Sequence, residues 1–92
     1  MLFGLEAAAD LKLLIEERTR QYGGFLKDAK RAGEQARRLF QFEVTPLELA
    51  RMMFCMKLGR LAHGECSGTD TLFDIAGYAC ILIDLMRATT DE

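Results

Sequence analysis

The chain has 92 residues, of which 50% are apolar and 28% are charged, and its formal net charge is −2. This composition is typical of a globular domain and excludes disordered and fibrous proteins. Twelve basic residues are mixed with fourteen acidic ones, which argues against broad binding to nucleic acid or to acidic membranes. The three cysteines fit no short metal-binding spacing, and we interpret them as reduced thiols.

The sequence contains no segment that we interpret as a targeting or membrane signal. Residues 1–5 carry no basic region before an apolar run, so we expect no secretory signal. Residues 71–86 are mostly apolar, but Asp74 and Asp84 interrupt them and the run is too short for a bilayer span. We therefore expect a cytoplasmic protein of one domain, residues 1–92.

The Gly23-Gly24 pair separates two predicted helices, over roughly residues 5–22 and 25–40. The second helix has its apolar residues on one side and most of its cations elsewhere. An exposed basic face could compete for a nucleic-acid channel or an acidic groove of a partner. This candidate partner-binding face consists of Lys30, Arg31, Arg37 and Arg38.

Two further helices are predicted downstream. Thr45-Pro46-Leu47-Glu48 has the pattern of a capping box with proline at the first helical position, and it begins a helix over roughly residues 46–62. Residues 63–68 are predicted to form a loop, after which Ser67 or Thr69 can cap the last helix. Because no alternating β pattern occurs, the sequence predicts an all-α, four-helix, bundle-like domain.

The third predicted helix contains Met52-Met53-Phe54-Cys55-Met56, which is apolar on every side and therefore typical of an interior helix. The last helix is also apolar on most faces, so a lone four-helix unit has difficulty covering both. We therefore expect a homo-oligomer. The alternative is a monomer whose N-terminal helices cover Met52 and Cys55.

Charged residues on these two apolar helices form a candidate cluster. Lys57 lies on an apolar stripe of the third helix with Arg60 at its margin, while Asp70 and Asp74 share a stripe of the last helix. In an antiparallel hairpin, Lys57 lies opposite Asp74 and Arg60 opposite Asp70. Such charges are costly in an apolar setting unless they pair with each other or with a ligand.

Two interpretations of this cluster remain open. In the structural one, the ion pairs fix the register of the helices. In the functional one, Lys57 and Arg60 bind the phosphate of a nucleotide or another phosphorylated small molecule, while Asp70 and Asp74 orient them or hold a cation such as magnesium. Two carboxylates on one helix are only weak metal candidates.

Other residues could line the edge of such a pocket. Arg18 and Tyr22 continue the apolar stripe of the first helix, and Tyr78 lies beside the acidic stripe of the last one. Gly77 in the middle of that helix costs about 1 kcal/mol relative to alanine. Close helix packing or the approach of a ligand would explain it.

Several segments together resemble a family of small phage and prophage proteins of unknown function. The resemblance covers nearly the whole chain and is carried by residues 17–25, by Lys57-Leu58-Gly59-Arg60 and by residues 70–79. That family is distantly similar to the MazG-type all-α nucleotide pyrophosphohydrolases, which implies a helical, often oligomeric protein that handles nucleoside triphosphates with magnesium. The paired glutamate-rich motifs of those hydrolases are missing here. If the chain is an enzyme, the resemblance implies a pyrophosphohydrolase-like activity.

Two functions of different classes follow. The first is recognition of a nucleotide or another phosphorylated small molecule. The alternative is a non-enzymatic phage protein that inhibits a host defence complex such as a CRISPR effector by direct contact, or that sequesters a signalling nucleotide.

Overall fold

The computed structural model describes residues 2–64 and 69–90, with the backbone alone for residues 22, 89 and 90. This part of the chain contains four helices and no strand. The all-α prediction is therefore confirmed. The helices are α1 (Leu5–Tyr22), α2 (Phe25–Phe40), α3 (Pro46–Ala62) and α4 (Asp70–Thr90).

The break between α1 and α2 depends on two glycines. Gly23 and Gly24 have φ angles of +82° and +91°, in a region that side chains with a Cβ rarely adopt. The Gly23 N–H donates to the Thr19 carbonyl at 2.9 Å and closes α1. The predicted boundary is confirmed at both sides.

The start of α3 is a complete capping box. The Thr45 hydroxyl oxygen accepts a hydrogen bond from the Glu48 N–H at 3.1 Å, and the Glu48 carboxylate accepts one from the Thr45 N–H at 3.4 Å. Pro46 occupies the first helical position, where no N–H is needed. The cap proposed at Ser67 lies outside the described residues.

The four helices contact one another in a ring. The most extensive contact joins α3 to α4, and smaller contacts join α2 to α3, α1 to α4 and α1 to α2. The bundle is nevertheless open, because its radius of gyration is 14.8 Å and a compact domain of this length has about 12 Å. Within the described residues, no helix has the length and apolarity that crossing a membrane requires.

The central part of α3 is only partly covered. Met52 is 56% exposed and Cys55 is also exposed. The expectation that the N-terminal helices cover these two residues is therefore wrong. The described helices of this chain leave this face of α3 exposed.

Candidate functional site

Asp74 is the centre of an ion-pair cluster that joins three helices. Its Oδ2 lies 3.2 Å from Lys57 Nζ on α3, and its Oδ1 lies 3.0 Å from an Arg18 guanidinium nitrogen on α1. The Asp74 and Lys57 side chains are each only 20% exposed, whereas that of Arg18 is half exposed. The predicted pair of Lys57 with Asp74 is present, and Arg18 completes the cluster.

The surroundings of Asp74 favour its charged form. Burial by itself raises the pKa of this carboxyl group, but hydrogen bonds from Arg18 and Lys57, together with their positive charges, lower it below its ordinary value. Asp74 is therefore a carboxylate at neutral pH. Because it holds both cations, it orients the Arg18 guanidinium at the surface.

The second predicted pair, Arg60 with Asp70, does not form. Both side chains are exposed, and among the described residues neither lies within 4.0 Å of an oppositely charged group. Three residues advance a helix about 60° short of a full turn, so Arg60 is turned about 60° around α3 from Lys57, which contacts α4. Asp70 lies at the first position of α4, one turn before Asp74.

A cavity of about 300 Å³ opens beside the ion pair of Arg18 and Asp74. Residues of α1, α2 and α4 surround it, so it lies where three helices meet. Its volume is at the lower end of the range for small-molecule sites. The lining comprises Ile15, Arg18, Thr19, Gly24, Phe25, Asp28, Asp74, Gly77, Tyr78 and Ile81.

Gly77 contributes empty space to this cavity. A Cβ built at Gly77 would meet no atom within 4 Å outside its own helix and its chain neighbours. Close packing within the described chain therefore does not explain this glycine. Its missing side chain leaves the wall of α4 open towards the cavity.

Two aromatic rings form part of the cavity wall. Phe25 on α2 and Tyr78 on α4 are in edge-to-face contact, with ring centroids 6.2 Å apart and planes at 83°. Tyr78 was a predicted site residue, whereas Phe25 was expected only among the apolar residues on one side of α2. The Tyr22 side chain lies outside the described part of the structure.

A comparison with protein families found one match. Residues 5–86 match the domain of unknown function DUF6378. The chain belongs to the DUF6378 family. The expected membership of a family of unknown function over nearly the whole length is therefore confirmed. Searches of the curated proteins and of the solved structures found no match.

The candidate site of this DUF6378 chain differs in two ways from the predicted one. Lys57 lies behind Asp74 and does not line the cavity, while Arg60 and Asp70 are outside it. Among the described residues that line the cavity, Arg18 is the only cation. Asp28 also lines the cavity. The sequence did not predict this role, because Asp28 is one of many polar residues of α2.

The proposed metal candidates do not form a cluster with other ligands. In residues 2–64 and 69–90, no group of three or more His, Cys, Asp or Glu side chains is arranged to hold a metal ion. Both oxygens of Asp74 face cations instead. The arrangement is therefore suited to positioning Arg18.

The four predicted partner-binding cations lie on one exposed side of α2. Lys30, Arg31, Arg37 and Arg38 are all exposed, and no carboxylate of the described residues lies within 4.0 Å of their charged groups. Glu34 lies among them on the same side of the helix. This basic face points to a different region from the cavity lining.

Proposed function

We propose that this DUF6378 chain binds a small phosphorylated molecule of the nucleotide class in the cavity between α1, α2 and α4. The observation that carries the proposal is the open space at Gly77, next to a guanidinium held in place by Asp74. A cavity with an oriented donor at its edge and aromatic rings in its wall combines the features of a nucleotide site.

The roles of the residues follow from their positions. Arg18 uses one nitrogen for Asp74 and keeps other N–H donors for a phosphate, since a guanidinium has five. Phe25 and Tyr78 offer ring surface to the base or another flat group. Lys57 supports the site indirectly, because it shares Asp74 with Arg18.

The charge of the lining restricts the ligand. One cation, Arg18, faces two carboxylates, Asp28 and Asp74, and Lys57 behind Asp74 makes the four groups neutral in sum. A triphosphate therefore brings more uncompensated negative charge into the cavity than a monophosphate and has the greater need of a counter-ion. We propose a nucleoside monophosphate, or a triphosphate that enters with magnesium.

A calorimetric titration tests this proposal. The probes are nucleoside mono- and triphosphates, with and without magnesium, and the variants are Arg18→Ala and its matched control Arg20→Ala. Arg20 is on the same helix and pairs with Glu17 away from the cavity lining. We expect binding that Arg18→Ala weakens about tenfold or more and Arg20→Ala leaves unchanged. Absence of heat with every probe, or equal binding by both variants, overturns the proposal.

The distant similarity of the resembling family to MazG-type hydrolases, which we expect from the sequence alone, suggests an extension of the proposal to a reaction. If the chain cleaves a nucleoside triphosphate, release of pyrophosphate has to depend on magnesium and disappear in Asp74→Asn. Sequestration without turnover predicts the reverse: the bound nucleotide is recovered unchanged after denaturation. Mass spectrometry of the recovered nucleotide distinguishes the two.

The second candidate function is inhibition of a host defence complex by a phage-encoded protein. The exposed, unpaired cations on one side of α2 favour it, since an acidic channel or groove would complement them. The double reversal Arg37→Glu and Arg38→Glu tests this role. It should abolish stoichiometric binding to a purified CRISPR effector and leave nucleotide binding intact. Unchanged binding to the effector rules out this use of the basic face.

A further inference from the structure

Few apolar residues of the described chain are fully buried. Among the described residues, only Ala29 and Ala50 are buried apolar residues, and no large side chain is fully buried. The accessible surface is 7313 Å², whereas a compact monomer of this mass exposes about 5,400 Å². A standard interface covers only about 800 Å² on each partner, so the excess is large enough for a stable dimer.

Part of this excess is a continuous apolar strip on α3. Met52 and Met56 are 56% and 60% exposed, and Cys55 between them is exposed as well. Their spacing of three and four residues places them on one side of the helix, opposite the side that contains the buried Ala50 and the half-buried Lys57. We call Met52, Cys55 and Met56 the methionine strip.

We infer that the methionine strip is the contact between two copies of this chain in a two-fold symmetric dimer. A chain with so few fully buried apolar residues lacks much of the stabilisation that a hydrophobic core supplies. The molecule that covers its exposed apolar surface therefore has to be present wherever the chain is made. A second copy of the chain satisfies this condition. The strip also suits self-association, because methionine side chains are flexible and adapt to each other.

The strip lies on a different helix from the cavity lining. No residue of the strip is among the lining residues, which come from α1, α2, the Gly24 linker and α4. The tests of the dimer therefore do not depend on whether the cavity binds a ligand. The strip includes Cys55, so a two-fold contact centred on it brings Cys55 of the two copies within reach of a short cross-linker.

The first test is the mass and the stability of the wild-type chain in solution. We expect light scattering to give twice the mass of the chain. We also expect the thermal midpoint to rise over an about hundredfold increase in concentration, since association stabilises the folded form by mass action. A monomeric mass with a midpoint independent of concentration overturns the inference.

The second test locates the interface. Met52→Glu with Met56→Glu should halve the mass, or unfold the chain if the dimer is obligatory, whereas Leu13→Glu should do neither. Leu13 is a suitable control because it is 63% exposed on α1. A dimer that survives both glutamates, or that Leu13→Glu dissociates, places the contact elsewhere and overturns the inference.

The third test does not depend on a destabilising variant. In a chain with Cys66→Ser and Cys80→Ser, a short bifunctional maleimide should link two copies through Cys55, the only remaining thiol. The link should not form in denaturant. Absence of the link in the native protein, when light scattering shows a dimer, excludes a two-fold contact centred on the methionine strip.

Discussion

Arg18 and Asp74 join the last turns of the first helix to the beginning of the fourth through an ion pair of 3.0 Å, across 55 intervening residues. Lys57 shares the same carboxylate at 3.2 Å. A single acidic side chain therefore links α1, α3 and α4 at the edge of the cavity. Its removal should affect both stability and the orientation of Arg18.

Asp74→Asn should lower the free energy of unfolding by about 1–2 kcal/mol at neutral pH, because Lys57 loses its partner in a poorly solvated position. The lost ion pair with Arg18 contributes less to this change in free energy, since Arg18 is half exposed and solvent screens its charge. Urea unfolding followed by circular dichroism measures the change. Asp10→Asn is the matched control: its side chain is exposed beyond the first turn of α1, and its substitution should leave the unfolding curve unchanged.

The effect of Asp74→Asn should depend on pH. The pKa of Asp74 is lower in the folded state than in the unfolded chain, because Arg18 and Lys57 stabilise the carboxylate by more than burial destabilises it. The stabilisation is therefore complete above the unfolded pKa and is lost as the pH falls through the folded pKa. We expect the difference between the wild-type and Asp74→Asn chains to vanish at strongly acidic pH. A difference that persists there contradicts this assignment.

The helix boundaries were predictable because the interactions that set them are local in the sequence. Gly23 and Gly24 supply the left-handed backbone that ends one helix and precedes the next. Thr45 and Glu48 are three residues apart and satisfy each other's N–H groups without help from the rest of the fold. Neither boundary needs any knowledge of tertiary contacts.

The candidate site was only partly predictable, because it depends on how helices distant in sequence are rotated against each other. Lys57 and Asp74 belong to neighbouring helices, so their pairing follows from a hairpin. The place of Arg18 depends on how α1 packs against α4, which periodicity does not determine. Similarly, spacing in the sequence alone does not show whether a residue at the margin of an apolar stripe, such as Arg60, contacts the neighbouring helix or is exposed to solvent.

Gly77→Ala and Gly33→Ala should have opposite effects on stability. At Gly77 a Cβ meets nothing within 4 Å, so alanine should add about 0.5–1 kcal/mol to the free energy of unfolding through its better helix propensity. At Gly33 a Cβ would lie 2.8 Å from the Val44 carbonyl oxygen, so alanine should cost about 1–3 kcal/mol.

Substitutions at Gly77 and Gly33 also distinguish an effect on stability from an effect on ligand binding. A larger residue, Gly77→Leu, should fill the cavity and weaken binding of the nucleoside monophosphate probe, whereas Gly33→Ala should leave its affinity unchanged. Urea unfolding and calorimetry on the same samples measure both quantities. Full binding by Gly77→Leu would show that the ligand does not occupy the space beside Gly77.

Thr45→Ala should destabilise the chain by about 1 kcal/mol, because the Glu48 N–H loses its hydrogen-bond acceptor at the start of α3. Thr45→Asp should retain most of the stability, since aspartate also accepts at this position. The measurement is the urea midpoint of both variants. Equal losses for alanine and aspartate would mean that the threonine methyl group, and not the capping oxygen, matters.

Tyr78→Phe should separate the two roles of the tyrosine. Its ring contact with Phe25 is kept, and in the described residues no hydrogen bond of the Tyr78 hydroxyl is found, so the free energy of unfolding should change by less than about 0.5 kcal/mol.

Tyr78→Ala is the contrasting variant, because it removes the ring as well. It should cost about 1–3 kcal/mol, less than for a fully buried aromatic residue since Tyr78 is only partly buried. If the hydroxyl contacts the ligand, Tyr78→Phe should also weaken binding of a nucleoside monophosphate about three- to tenfold while the fold stays intact. Unaltered affinity in Tyr78→Phe together with lost affinity in Tyr78→Ala would assign the tyrosine to ring contact alone.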